Sequence, residues 1–173
     1  MATVDEAAEW QGGSPSSPPP SHQRNSSLTF QQPKELRGTP LITLPDEDLR
    51  ERRAQFASLI ERFGKAWEKL SSKLMAEVFA EDAVFIPDPW EAPVTTRAAI
   101  EQYWGDIPYE QSEISFRFGE IYVAGPWFST EFKCTFRRRR TGEEIDVRGA
   151  LFCETEGEEI SEMRMYWDRR VGR

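Results

Sequence analysis

The sequence predicts an α+β domain in which helices come first and a mostly antiparallel sheet follows. Two observations carry this prediction. Apolar residues recur at three- and four-residue steps from Phe56 to Leu74, as they do on one face of an amphipathic helix. After Ser112 the period changes to two, and β-branched or aromatic residues alternate with charged ones over four runs, 113–124, 127–140, 143–155 and 160–168.

The first two predicted helices follow from their start signals. Pro45 precedes three acidic residues, and proline suits the first helical position while carboxylates suit the positive end of the helix dipole. Ser71-Ser72 is expected to interrupt the apolar pattern and to cap a second, short helix that ends near Phe79. The acidic pair Glu81-Asp82 is expected to close that helix.

A short strand and a third helix are predicted next. Ala83–Ile86 is an apolar run of strand length, and Pro87-Asp88-Pro89 ends it with a carboxylate between two prolines. Thr95 or Thr96 is expected to cap a helix that runs through Trp104. The four later runs are separated by turn signals that contain glycine or proline: Gly125-Pro126, Thr141-Gly142 and Glu156-Gly157.

Composition divides the chain of 173 residues into a polar opening segment, residues 1–44, and a domain, residues 45–173. The opening segment carries Gly12-Gly13 and the run SPSSPPPS. Such a composition cannot bury enough apolar surface to offset the entropy of ordering. A disordered tail is therefore expected, followed by one domain of ordinary size.

The formal net charge of −8 disfavours general attraction to nucleic acid or to an anionic membrane. No apolar run approaches the roughly 20 residues that cross a bilayer, and the chain starts with acidic residues where a signal or transit peptide would be basic. We therefore expect a cytoplasmic protein with no nucleic-acid and no membrane partner. The run Arg137–Arg140 suggests a nucleic-acid patch, but the acids Glu143, Glu144 and Asp146 on the facing hairpin arm are expected to cancel its field.

The two cysteines, Cys134 and Cys153, fall in neighbouring predicted strands. A simple hairpin register would place Cys134 opposite Gly149 or Ala150, which leaves the sulfurs too far apart for a disulfide. Both are expected to be reduced, half-buried thiols. No metal and no cofactor are expected, because the only histidine, His22, lies in the opening segment and no CxxC motif occurs.

Three short strings in the predicted domain are similar to motifs of a known superfamily. They are AEDAVFIPDP at 80–89, TRAAIEQYW at 96–104 and ISEMRMYWD at 160–168. Their order and spacing resemble the SnoaL-like and ketosteroid-isomerase-like branch of the nuclear-transport-factor-2-like superfamily, over roughly Phe56 to Asp168. The resemblance implies a cone-shaped α+β barrel, in which three N-terminal helices pack on a curved sheet around an apolar pocket. It does not fix an activity, because the superfamily includes isomerases, dehydratases, cyclases, transport factors and binding modules.

The resemblance also implies which residues line the pocket. It places there the carboxylate of Asp88 and ten ligand-binding side chains: Phe63, Trp67, Phe85, Trp90, Trp104, Arg148, Phe152, Met163, Met165 and Trp167. On the last strand the residue pattern agrees independently, because apolar Met163, Met165 and Trp167 alternate with polar neighbours. On the preceding strand the alignment alone puts Arg148, Ala150 and Phe152 inward. An ordinary packed core remains the alternative for the aromatic residues and methionines.

Asp88 is the candidate catalytic residue, because ketosteroid-isomerase-like proton transfer uses a carboxylate base over an apolar floor. The donors that would hold the enolate oxygen are missing, since Phe63 stands where the family has its tyrosine and Ala150 where it has its protonated aspartate. Classical steroid isomerisation is therefore not expected. The His–Asp pair of the superfamily's cyclases and dehydratases is missing as well. A turn carboxylate that caps local amides is the alternative for Asp88.

Two functions of different class remain open. The leading hypothesis is a SnoaL-like domain that binds a small hydrophobic, ring-containing molecule, with any catalysis limited to Asp88 as a single base. The alternative is a non-catalytic dimerisation or protein-interaction module with a filled pocket, and a cavity of about 300 Å³ or more would favour the first. A homodimer through the sheet is expected, with outward-facing apolar residues such as Val147 and Leu151.

Overall fold

A six-stranded sheet with one long and three short helices packed against it makes up the described part of the chain. The computed structural model describes residues 46–172, so the predicted tail and His22 lie outside it. The helices are α1 (Asp46–Glu68), α2 (Ser72–Ala76), α3 (Arg97–Trp104) and α4 (Ile107–Glu110). The strands are β1 (Phe79–Ile86), β2 (Val94–Thr95), β3 (Gln111–Ala124), β4 (Trp127–Arg138), β5 (Glu144–Glu156) and β6 (Glu159–Val171).

The strand order is β2-β1-β6-β5-β4-β3. The pair β1 and β6 is parallel, and the other four neighbouring pairs are antiparallel. The predicted α+β class and the mostly antiparallel meander are therefore confirmed. Among residues 46–172 the sheet is open, with β2 and β3 at its two edges. None of the helices described there is long and apolar enough to cross a membrane.

Helix α1 covers the inner face of the sheet with its apolar stripe. Phe56, Ile60 and Phe63 recur at the helical period and are almost completely buried. The ring of Phe56 stacks on that of Phe128 in β4, with centroids 4.4 Å apart. Gly64 permits a close approach to β3, since a Cβ there would lie 2.3 Å from Cδ1 of Phe116. The core thus lies between α1 and one face of the sheet.

The predicted helix caps are confirmed. The Ser71 side chain accepts a hydrogen bond from the amide of Leu74 at the start of α2. The Thr96 hydroxyl accepts one from the amide of Ala99 at 3.3 Å and starts α3. Both oxygens satisfy amides that have no partner inside the helix.

The predicted end of the second helix is wrong. Helix α2 stops at Ala76, and Phe79 already pairs with Ile160 as the first residue of β1. Glu81-Asp82 lies inside this strand with both side chains exposed, where the register with β6 shifts. The two-residue strand β2 and the four-residue helix α4 were not predicted, because such short elements show no periodicity.

The four later strands and their three turns lie where the pattern predicts them. Gly125, Gly142 and Gly157 occupy the three turns with φ of 63°, 72° and 61°. These left-handed conformations cost glycine little, because it has no Cβ. The alternation therefore predicted strand positions well.

The predicted orientation of β5 is wrong. Val147, Leu151 and Cys153 are buried on the inner face, and Arg148 and Phe152 face outward. The alternation of apolar residues along the strand itself favours this arrangement, whereas the alignment to the superfamily was one residue out of phase. Val147 and Leu151 therefore cannot belong to an outer dimer surface.

The predicted register of the two cysteines is also wrong, although both thiols are free as expected. Cys134 pairs with Val147 and Cys153 with Phe128, because the hairpin loop is centred one residue earlier than predicted. Both thiols are fully buried instead of half-buried. Burial, with a smaller contribution from Glu68, raises the pKa of Cys134 to about 12, and burial also raises the pKa of Cys153.

Gly149→Ala is expected to lower the free energy of unfolding by about 2 kcal/mol or more. A Cβ at this position of β5 would lie 2.1 Å from the carbonyl oxygen of Tyr166 and 2.7 Å from Cβ of Trp167. Two of the three nearest atoms belong to the backbone of the paired strand β6, and they cannot rotate away as a side chain could. Chemical denaturation measures the change. Gly119→Ala in β3 is the matched control, because its nearest neighbour would be 3.8 Å away; equal losses in the two variants would contradict the explanation.

Candidate functional site

A cavity of about 230 Å³ lies where α1 ends, between α3, α4 and the inner face of the sheet. Its deeper walls are formed by buried aromatic and aliphatic side chains. Its mouth is the side lined by the exposed residues Glu91, Tyr103 and Glu110. The lining consists of Trp67, Phe85, Pro87, Glu91, Tyr103, Trp104, Ile107, Glu110, Gln111, Phe136, Val147, Met165, Trp167 and Arg169.

Trp104 is the centre of the aromatic wall. Its ring lies 5.1 Å from that of Trp67, 5.6 Å from Phe63 and 5.9 Å from Phe85, measured between centroids. Helix α3 carries it inward because Ile100 and Trp104, four residues apart, share the buried face of the helix. The pairs with Trp67 and Phe63 meet edge to face and the pair with Phe85 is tilted, and such aromatic contacts stabilise the cluster beyond simple burial.

Two of the three cavity tryptophans have hydrogen-bond acceptors for their indole N–H groups. Trp67 Nε1 donates to Oε1 of Gln111 at 3.0 Å, and Trp167 Nε1 donates to the carbonyl oxygen of Pro87 at 2.8 Å. These bonds fix the first ring against β3 and the second against the loop after β1. The wall is therefore held in one arrangement.

The third indole, that of Trp104, lacks an acceptor. Its Nε1 is buried and has no hydrogen-bond partner among residues 46–172. A buried donor without a partner costs about 1–3 kcal/mol of desolvation. Although Trp104 lines the cavity, its Nε1 has almost no accessible surface, so the ring lines the cavity while the N–H is directed into the surrounding packing.

Tyr103 lies at the mouth under the influence of three carboxylates. Burial, followed by the charges of Glu91, Asp88 and Glu110, raises the pKa of Tyr103 to about 12. Both effects disfavour the phenolate. The Tyr103 hydroxyl therefore stays neutral at physiological pH and can both donate and accept a hydrogen bond.

Helix α3, which carries Tyr103 and Trp104, is anchored by an arginine at its first position. Arg97 Nε donates to the carbonyl oxygen of Phe79 in β1 at 2.7 Å, and Nη2 donates to Oε1 of Glu159 in β6 at 2.7 Å. The start of the helix is thereby joined to two strands of the sheet.

Five of the predicted pocket residues do line the cavity: Trp67, Phe85, Trp104, Met165 and Trp167. Phe63 and Met163 are fully buried behind them and do not reach it. The inward orientation predicted for the last strand is confirmed for Met163 and Met165.

Three other predicted residues lie elsewhere. Trp90 is 93% exposed, because the loop between β1 and β2 carries it away from the core. Arg148 faces solvent on the outer side of β5, where its Nη2 donates to Oδ2 of Asp146 at 3.0 Å. Phe152 lies on the same outer face. The pocket positions assigned to these three residues are therefore wrong.

Asp88 is partly buried and does not belong to the cavity lining. Its Oδ1 accepts a hydrogen bond from the backbone amide of Trp90 at 2.9 Å. This is the local capping that the sequence left open as the alternative. The carboxylates that do line the cavity are Glu91 and Glu110.

Several lining residues were missed by sequence reasoning. Phe136 and Val147 follow the same inward parity as Cys134 and Cys153, so strand alternation was a signal for them. Glu91 and Glu110 sit on a loop and on a short helix, where no pattern indicates which way a side chain points.

No group of three or more His, Cys, Asp or Glu side chains within residues 46–172 is arranged to hold a metal ion. Two of the four arginines in the run at the hairpin are paired with acids: Arg137 Nε lies 3.2 Å from Oε2 of Glu113, and Arg138 Nη1 lies 2.8 Å from Oε2 of Glu143. Its positive field is reduced accordingly.

Comparison with known proteins gives one family and many similar folds. The family model of the SnoaL-like domain matches residues 60–163. Searching the curated proteins gave no match. Among solved structures, a provisionally named isomerase from Bacillus subtilis shares 23% identity, covers 66% of this chain and 87% of its own, and has a TM-score of 0.61.

Two further structures are similar at lower identity. A hypothetical protein with a ketosteroid isomerase-like fold from Catenulispora acidiphila, solved with trimethylamine, shares 20% identity over 62% of this chain and 83% of its own, with a TM-score of 0.57. An LEH-like epoxide hydrolase of M. tuberculosis shares 12% sequence identity over 68% of this chain and 85% of its own, with a TM-score of 0.58. Identities this low establish the cone-like fold and leave the activity open.

Tyr103→Phe is expected to flatten the loss of stability between pH 10 and pH 12. The pKa of Tyr103 is raised in the folded state, so its contribution is complete below pH 10 and is lost as pH rises through about 12. Urea unfolding at a series of alkaline pH values measures the slope. Tyr109→Phe, at an exposed position of α4, is the control. Parallel curves for wild type and Tyr103→Phe would contradict the expectation.

Proposed function

The chain belongs to the SnoaL-like domain family, and from this premise we propose that it binds a small, largely apolar organic molecule in the aromatic cavity. The observation that carries the proposal is the cavity itself, which remains open beside five predicted pocket residues: Trp67, Phe85, Trp104, Met165 and Trp167. A purely structural core would close such a space, since protein interiors are close-packed.

The size of the cavity limits the ligand. Its volume of about 230 Å³ is below the roughly 300 Å³ at which typical ligand pockets begin, so the expected size that would favour binding over a filled pocket is not reached. The aromatic lining supports binding only of a ligand smaller than the superfamily resemblance implies. A steroid-sized molecule does not fit this space without rearrangement of the walls. We therefore expect a ligand of about one ring with a short substituent.

The hydroxyl of Tyr103, beside Trp104, supports a polar atom on that ligand. The Trp104 Nε1 itself has almost no accessible surface, so the ring of Trp104 would contact the apolar body of the ligand, and the neutral hydroxyl of Tyr103 could hold a polar group at the mouth. The two side chains are neighbours in α3 and both line the cavity. This arrangement gives an otherwise apolar site an orientation for its ligand.

A reaction with Asp88 as single base stays a secondary proposal. Its charge acts on Tyr103, which lines the cavity, although Asp88 itself does not. The structural neighbours include proteins named for isomerase and epoxide hydrolase activity, so the fold is compatible with catalysis. Turnover that Asp88→Asn abolishes without weakening binding is the result that this proposal requires.

Homodimerisation through the sheet is the second function that we propose, and the outer face supports it. Trp127, Phe152, Arg164 and Tyr166 form an exposed aromatic patch there, hereafter the outer patch. The rings of Phe152 and Tyr166 meet edge to face at 5.7 Å, and each residue is over 40% exposed. Arg164 lies over the Trp127 ring at 5.8 Å. Exposed aromatic residues and arginine are typical of the centres of protein interfaces.

Tyr103→Phe is expected to weaken ligand binding by about fivefold, because the ring is kept while one hydrogen bond of about 1 kcal/mol from the hydroxyl is removed. The measurement is a screen of monocyclic ketones, ethers and amides by tryptophan fluorescence and thermal shift. Tyr122→Phe, on the exposed outer face of β3, is the control for loss of a polar group from an aromatic side chain. If no compound binds, or if Tyr103→Phe binds all of them as wild type does, the proposal is overturned.

Phe152→Glu/Tyr166→Glu is expected to convert a dimer to a monomer by placing charges in the outer patch. Sedimentation velocity at several protein concentrations measures the mass. Tyr109→Glu introduces a charge at an exposed aromatic residue of α4 and should leave the dimer intact. A wild-type chain that sediments as a monomer at all concentrations would rule out this second function.

A further inference from the structure

We infer, on the basis of the binding function proposed above, that the ligand of the aromatic cavity is a small organic cation, a quaternary or protonated amine on an apolar body. Three features of the cavity point to this class: the orientation of its rings, the carboxylates at its mouth and the imbalance between negative and positive lining groups.

The aromatic walls can stabilise a cation. The ring planes of Trp67 and Trp104 meet at 75° and those of Phe85 and Tyr103 at 73°, with centroids 5.1 Å and 5.5 Å apart. All four rings line the same cavity, and because they are set at different angles a bound cation has more than one ring orientation to contact. A cation within about 6 Å of a ring face is attracted by the quadrupole of the ring, and the attraction grows when water is excluded.

The mouth supplies carboxylates that are not used elsewhere. Glu91 and Glu110 line the cavity, and neither lies within ion-pair distance of a lysine or arginine in the part of the chain that the structure describes. Asp88 adds a third negative charge close enough to act on Tyr103. A positively charged ligand would therefore meet uncompensated carboxylates as it enters.

The charge balance excludes an anion as the favoured ligand. Arg169 is the one positively charged residue of the lining, against the two carboxylates of Glu91 and Glu110. An anion would gain one partner and face two like charges, whereas a cation has the reverse balance. The net charge of −8 on the whole chain also attracts a cation and repels an anion as they diffuse to the mouth.

The test compares three probes of similar shape and different charge. They are benzyltrimethylammonium, its neutral isostere neopentylbenzene and the anion phenylacetate, each titrated against the full chain by tryptophan fluorescence and calorimetry. We expect the cation to bind about tenfold more tightly than the neutral isostere, and phenylacetate to bind least. Raising the salt concentration should reduce the advantage of the cation.

The decisive variant is Glu91→Gln/Glu110→Gln. Because both side chains are exposed, the substitutions keep the fold, and they should remove most of the preference for benzyltrimethylammonium without changing the affinity for neopentylbenzene. Glu120→Gln/Glu156→Gln makes the same change in net charge at exposed positions outside the cavity and should leave the preference intact.

The possible outcomes separate this inference from the proposed function. Equal binding of the cation and the neutral isostere, or a preference that survives Glu91→Gln/Glu110→Gln, overturns the cationic ligand and leaves the binding function standing. Tighter binding of phenylacetate also overturns it and would assign the leading role to Arg169. Binding of none of the three probes, together with a negative screen of neutral compounds, overturns both.

Discussion

The packing of one aromatic helix stripe against the sheet determines the rest of the architecture. Phe56, in the middle of α1, stacks on Phe128, and Gly64, near the end of α1, lets the helix lie directly on the ring of Phe116. With the middle of the helix fixed, its last turn carries Trp67 over the widening space beside α3 and β6. The cavity is therefore a consequence of where α1 ends, and the tryptophans close around it instead of filling it.

Much of the fold was accessible from the sequence because its long elements are regular. The period-two runs located β3 to β6, and the serine and threonine caps located the starts of α2 and α3. The predictions failed for elements that form only through pairing with residues distant in the sequence. The strand at Phe79 forms because β6 supplies its hydrogen-bonding partner, and the two-residue β2 forms only against β1. The local sequence of a strand does not indicate which distant strand it will pair with.

The candidate site was predictable where strand alternation governed it and unpredictable where loops did. Met165 and Trp167 were placed by the pattern of β6, and the pattern of β5, with Val147, Leu151 and Cys153 on one side, was a better guide than the alignment that put Arg148 inward. Glu91 and Glu110 belong to a loop and to a helix of one turn. Their shared position at the mouth arises from tertiary structure alone, yet it gives the site its charge.

The parallel pairing of β1 with β6 has a consequence for biosynthesis. The strand that begins the sheet finds its main partner only when the last strand is present, and the bond from Trp167 to Pro87 spans 80 residues. Loops of that length close slowly and late. While the ribosome is still adding β6, β1 would have an unpaired edge and the aromatic cluster an unclosed side, a state in which nascent chains are prone to aggregate. Closure of the aromatic cavity would thus be among the final events of folding.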